Sequence, residues 1–294
     1  PRAWTDTEIG EYLLRRGHDL PGNLVVGRRA AERANLHETT SIEDRSEAYP
    51  RLARQVLSHE APGSSAAGEQ PKFAIHQREV GHVIVKFSPS TDSPESERWR
   101  DLLVAEHHAL MVMRDLGRPT ADSTVHFFAD RVFLESRRFD RHGLRGRSPA
   151  LSLTMVDAEY AGRGRGWADV GAVLHGHGLL DKGDLDDLAW AEAFGSWIGN
   201  SDMHLGNISL APAAGSFRLL PIYDMLPMAF APVRGELPEV KLRPPIRTDN
   251  NGEVWEPTRQ AAATFWDRVA GDTQSSPSFR DLAHDEAKRC EQSV

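Results

Sequence analysis

The chain has 294 residues, enough for one bilobal domain or two ordinary ones. Hydrophobic residues make up 39%, charged residues 27%, and the net charge is −8; this is the composition of a water-soluble globular protein, too acidic for a general nucleic-acid binder. One cysteine, Cys290, excludes an internal disulfide and a thiolate metal cluster and points to a reducing, cytosolic compartment, and no apolar run nears the ~18 residues of a membrane span.

The sequence opens at Pro1 with neither an initiator Met nor a signal-peptide pattern, which leaves room for an upstream DNA-binding or other module. Basic clusters (Arg15, Arg16, Arg28, Arg29) surround a Leu20-Pro-Gly-Asn23 turn, and residues 46–59 have helical spacing in Tyr49, Leu52, Val56 and Leu57. Ala61-Pro-Gly-Ser-Ser-Ala-Ala-Gly68 is too small and Gly-rich to pack a core and reads as a loop. Strands are predicted at 73–76 and 82–87, joined by a turn near Gly81. Ser93-Pro94-Glu95 starts a helix that ends at Gly117. A second strand pair is predicted at 124–129 and 132–136, helices at 167–180 and 185–198, short strands at 208–211 and 217–221, and a helical region over 258–291. Strands with one helix, then mostly helices, predict an α+β protein in two lobes.

The most informative segment is Asn200-Ser-Asp202-Met-His-Leu-Gly-Asn207. Asp followed five residues later by Asn is the spacing of a kinase catalytic loop, where the Asp accepts the substrate hydroxyl proton and the Asn holds Mg²⁺. Asp224, the next acid, follows a short strand as a second metal ligand would. Lys86 ends a strand, where a kinase keeps the lysine that neutralises the ATP phosphates. Its predicted partner is Glu106, which falls on the apolar stripe of the following helix with Trp99, Leu103, Leu110 and Met113; a carboxylate there is costly unless paired. The loop Gly63–Gly68 continues into Glu69-Gln70, so it is no Walker A loop; two strands before Lys86, it stands where a kinase Gly-rich loop belongs. The arginines at 137, 138, 141, 145, 147, 163 and 165 form a locally basic stretch suited to an acidic or phosphate-rich partner.

Ser65-Ala-Ala-Gly-Glu-Gln-Pro-Lys-Phe73, Val85-Lys-Phe-Ser-Pro89, Arg138-Phe-Asp-Arg141, Asn200-Ser-Asp-Met-His-Leu-Gly-Asn207 and Ile222-Tyr-Asp224 resemble, in order, the signature segments of the HipA family of bacterial toxin kinases. The resemblance implies a bilobal protein-kinase-like fold: an N-terminal HipA-like subdomain over 1–60, a β-rich N-lobe with the Gly-rich loop over 61–136, and a mainly helical C-lobe over 137–294. It implies Asp202 as catalytic base and Asn207 and Asp224 as Mg²⁺ ligands. Lys86, Glu106, Gly68, Gln70, Ser136 and Arg137 would serve ATP, the last two in a hinge over 133–138, and Ser65 (or Ser64) would be autophosphorylated. A serine/threonine kinase acting on the translation machinery, such as an aminoacyl-tRNA synthetase, with a HipB-like antitoxin as partner, is the leading reading. A small-molecule kinase of the aminoglycoside or choline type and a catalytically silent antitoxin-binding scaffold are the alternatives.

Overall fold

Phe73, Val83, Val85, Phe87 and Phe133 recur at every second position of three neighbouring strands, so they share one face of a sheet. The structure, a computed structural model, describes residues 5–17, 19–36, 41–58, 70–247 and 252–293. The expected Gly-rich loop with Ser64, Ser65 and Gly68 lies outside the described residues.

Two helices lead in, α1 (Asp6–Arg16) and α2 (Arg28–Leu36). Neither is among the predicted elements. Thr5 and Glu8 form a capping box at the start of α1. The small lobe follows: β1 (Ser41–Ile42), α3 (Arg45–Ser58), β2 (Lys72–Gln77), β3 (Gly81–Phe87), α4 (Pro94–Asp115), β4 (Ser123–Phe128) and β5 (Arg131–Arg137). Its sheet has the order β1-β2-β3-β5-β4, antiparallel except for the β1–β2 pair. Helix α3 covers the aromatic face, with the Tyr49 ring 5.5 Å from Phe73 and 5.6 Å from Phe133, contacts worth ~0.5–1.5 kcal/mol each beyond burial. Residues 41–58, drawn with the N-terminal subdomain in the sequence, thus share the sheet and core of β2–β5. Helix α4 covers the other face, where Leu103 and Val104 pack on Val132 and Leu134.

The helix start at Ser93-Pro94 is as expected: the Ser93 hydroxyl accepts from the Ser96 N–H. Past Asp115 the chain turns at Gly117 (φ +74°), and backbone bonds from the Ala121 N–H to the Ile222 carbonyl and from the Ile222 N–H to the Pro119 carbonyl join the lobes.

Two short strand pieces, β6 (Arg141–His142) and β7 (Gly146–Arg147), precede β8 (Leu151–Ser152) and α5 (Leu153–Val156), which runs into a π-helical turn at Asp157–Ala161. Then come α6 (Trp167–Gly176), α7 (Lys182–Ile198), the hairpin β9 (Ser209–Ala213) and β10 (Ser216–Leu219), and α8 (Trp255–Gly271) and α9 (Pro277–Gln292). The helical region expected over 258–291 is therefore two helices, broken where Asp272 and Pro277 end one and start the next. Trp190, Phe194, Trp197, Phe265, Trp266 and Phe279 form the large-lobe core. The fold is α+β and bilobal. No described helix is long and apolar enough to cross a membrane.

Candidate active site

Helix α7 delivers the chain to the cleft. It ends at Gly199, whose φ of +79° is a left-handed cap that a glycine takes without strain. A Cβ there would lie 2.7 Å from Leu242 Cδ2, so the leucine side chain would have to shift. The next residue, buried Asn200, uses both ends of its amide. Its Oδ1 accepts the Asp202 N–H at 3.1 Å, and its Nδ2 donates to the Asp224 carbonyl at 3.2 Å. One side chain therefore sets the spacing between the two acidic segments.

Asp202 projects outward, 58% exposed. Asn207 Nδ2 donates to the Asp202 carbonyl at 2.8 Å, which leaves Oδ1 as the open atom of its amide. His204 orders the loop: its Nδ1 accepts from the Gly206 N–H at 3.0 Å, and its carbonyl accepts from Trp167 Nε1 at 3.2 Å.

Strand β3 places Lys86 above this loop. Its Nζ lies 2.7 Å from both Glu106 carboxylate oxygens and also donates to Asp224 Oδ1. Burial alone would lower the lysine pKa, but the carboxylates of Asp224 and Glu106 outweigh it and hold the ammonium well above its ordinary value. Glu106 is raised by burial, only partly offset by Lys86. Asp224 is lowered: burial opposes ionisation and Lys86 overcomes it. An ionised Asp224 beside a permanently charged Lys86 can hold one hard cation and one phosphate side by side. Asp224 also sits at φ +55°, a left-handed conformation that costs a residue with a Cβ about 1–2 kcal/mol and that collects at functional sites.

Lys86, Glu106 and Asp224 line a cavity of about 300 Å³ between the lobes, whose lining does not include Asp202 or Asn207. Lys72 also lines it, directly opposite Lys86 across the β2–β3 ladder. Ile84, Ala121, Phe139 and Tyr223 supply apolar wall, with the Phe139 and Tyr223 rings 5.9 Å apart. Ser136 and Arg137 line the far edge, beside Arg138 and Asp140. Gln70, expected to bind ATP, is absent from the lining: its amide donates to the Phe87 carbonyl at 2.5 Å and holds the strand end instead. A wider groove of about 480 Å³ beside β9–β10 has only Glu159 and Tyr160 as ionisable lining, so of the two the interlobe cavity is better equipped for chemistry. The basic stretch is also partly spent: Arg138 and Arg141 are buried against Asp140 and Asp19, which takes them out of any exposed docking face.

Asn200, Lys72, Tyr223 and Asp140 carry geometry that the sequence reading assigns to none of them. Lys72 could have been found from its register with Lys86; Asn200 and Asp140 act through long-range contacts.

Residues 64–293 match the family model described as the HipA-like C-terminal domain. The chain belongs to the HipA-like family. Residues 1–35 of this HipA-like chain match the middle domain of YjjJ-like toxins. It is 33% identical over 299 aligned positions to toxin YjjJ of Escherichia coli K12, covering 99% of this chain and 68% of YjjJ. Among solved structures, it resembles a chain from the HipA–HipB–operator DNA complex of the Shewanella oneidensis MR-1 toxin–antitoxin system, with TM-score 0.69, 17% identity, and 98% and 79% coverage of the two chains. It also resembles the Helicobacter pylori proinflammatory kinase CtkA, with TM-score 0.53, 13% identity, and 80% and 92% coverage. At those identities the two structures establish a shared kinase-like HipA fold.

Proposed function

We propose that this HipA-like chain is an ATP- and Mg²⁺-dependent serine/threonine protein kinase, a toxin acting on a component of the translation machinery. The observation that carries the reading is Lys86 held between Glu106 and Asp224, with Asn200 tying the Asp202 loop to Asp224 and Asn207 in turn bonded to the Asp202 carbonyl. Lys86 binds the ATP phosphates, and Glu106 keeps its ammonium aimed. Asp202, open to solvent, accepts the proton of an incoming side-chain hydroxyl. The apolar wall of Ile84, Ala121 and Phe139 receives the base, with Ser136 and Arg137 at the hinge.

The donor set fits Mg²⁺. Asp224 is ionised, and Asn207 presents Oδ1 because its nitrogen is engaged; one or two such oxygens plus phosphates are the usual complement. The ion supplies charge neutralisation between the phosphates. Ser65, or its neighbour Ser64, is the proposed autophosphorylation site. The partnership of HipA with HipB in the Shewanella complex supports a HipB-like antitoxin as partner. Incubation with labelled ATP and a cytosolic lysate, followed by mapping of the label, tests the reading. Label on a protein serine or threonine is expected; label only on a small molecule, or none, would overturn it.

A further inference from the structure

Arg138-Phe139-Asp140-Arg141 does more than border the cleft. Three of its four side chains face the turn between α1 and α2. The Gly22 N–H donates to Asp140 Oδ2 at 2.8 Å. Arg141 donates to the carbonyls of Gly22 (2.7 Å) and Leu20 (2.8 Å) and to Asp19 Oδ1 (2.8 Å). Arg138 bridges Asp19 Oδ1 at 3.0 Å and both Asp140 oxygens at 2.9 Å. The two guanidinium side chains are 8% and 2% exposed. Buried charge-assisted bonds to backbone carbonyls hold a chain segment in one position. What they hold is Pro21, which lines the interlobe cavity with Phe139 and Ala150.

We propose that Pro21 and Gly22 are part of the nucleotide site, with the Pro21 ring closing its nucleoside end, so that nucleotide affinity depends on the N-terminal segment. This deepens the kinase reading and rests on it. Lys86, Lys72 and Asp224 suit one part of the cavity to phosphates, while Gly22, next to Pro21, is tied to Asp140 in the part lined by Phe139 and Ser136. A proline ring offers a compact, apolar, already rigid surface to a base or ribose, so little entropy is lost on binding. Gly22 makes that placement possible. It sits at φ +73°, and a Cβ would lie 2.7 Å from the Ala150 N and 2.9 Å from its carbonyl oxygen; backbone on that side cannot give way as a flexible side chain could.

The test is titration calorimetry on the full chain with three probes: a non-hydrolysable ATP analogue, adenosine, and magnesium tripolyphosphate. Pro21→Ala removes ring surface, and Gly22→Ala pushes the turn off Ala150. Both variants should bind the ATP analogue and adenosine ~5- to 10-fold more weakly, while tripolyphosphate affinity stays within about twofold. Parent-like adenosine affinity in both variants overturns the proposal, as does an equal loss for adenosine and tripolyphosphate, the signature of general loosening. A parent chain that binds none of the probes removes the kinase reading and this one together. A parent that binds, with variants that match it, removes this one alone.

Discussion

Lys86 and Glu106 meet side to side, the ammonium 2.7 Å from each carboxylate oxygen, and Glu106 is 1% exposed. Breaking such a pair from one side leaves a buried charge without a partner, at a cost of about 3–5 kcal/mol. Lys86→Ala should therefore lose thermal stability as well as phosphate transfer. Adding Glu106→Gln should recover part of the stability and none of the activity. A Lys86→Ala melting temperature equal to the parent's would show that the pair contributes nothing.

Asp202→Asn removes a charge and a proton acceptor from an exposed position. Its fold and nucleotide affinity should match the parent, while turnover falls by ~10²- to 10⁴-fold. Single-turnover kinetics with the mapped substrate separates these quantities; turnover within a few-fold of the parent would remove Asp202 from the catalytic role.

Asn207→Ala and Asp224→Asn should each raise the Mg²⁺ concentration needed for half-maximal transfer, by roughly 10- to 100-fold. Chelation of divalent metal should abolish transfer in the parent. Mg²⁺ titrations that superimpose for all three proteins would contradict the assignment. Asp224→Asn carries a second signature: it takes one carboxylate from Lys86 but leaves Glu106 paired, so its stability loss should be smaller than that of Lys86→Ala.

Glu135 gives a pH-dependent test away from the cleft. It is buried on the α3 side of β5, where it accepts hydrogen bonds from the Arg45 guanidinium and the Tyr49 hydroxyl. Burial alone would raise its pKa; the His126 imidazole 3.6 Å away and the hydrogen bonds from Arg45 and Tyr49 outweigh it and hold the carboxyl down to about 2 from an ordinary 4.5. A depressed carboxylate stabilises the fold fully above its unfolded value and loses that contribution as pH falls through the folded one. The window is thus about pH 4.5 down to about 2. Glu135→Gln should be less stable than the parent at neutral pH by on the order of 3 kcal/mol, and the gap should narrow as pH drops through that window. A gap that stays constant from pH 5 to pH 2 would mean that the ionised carboxylate is not what stabilises the network.

Much of the frame can be read from local signals. Ser93-Pro94-Glu95 marks the start of α4 because capping is decided within one turn, and Glu106 on an apolar stripe announces a buried partner because an unpaired charge there is too costly. Helices α1 and α2 escaped for an equally local reason. Ile9, Tyr12 and Leu14 remain exposed, and Arg28–Leu36 has Leu36 as its one large apolar residue in sequence, so neither segment carries the apolar stripe that marks a core-facing helix. The capping pair Thr5 and Glu8 was the available signal. In the site, Lys86, Asp202, Asn207 and Asp224 follow from motif spacing, while Asn200 and Asp140 do not. Their work is done on residues 24 and 118 positions away, a distance over which no local pattern carries information. Gln70 shows the converse: motif membership suggested a ligand contact where the side chain ties two strand ends together.

Helix α4 has no free face. One side lies under the small-lobe sheet, the other joins the large-lobe core through Leu102, Ala105, Ala109 and Met113. Polar ties add to this: Asp101 accepts from the Ser276 N–H and hydroxyl at 2.7 Å, His108 meets Asp272 at 2.7 Å, and Arg98 donates to the Phe230 carbonyl at 3.1 Å. Rolling the helix outward would strip apolar surface from both lobes and leave Asp101 buried without its donors. Glu106 is therefore held from both lobes at once, and its ion pair with Lys86 lies on the seam where the two cores meet.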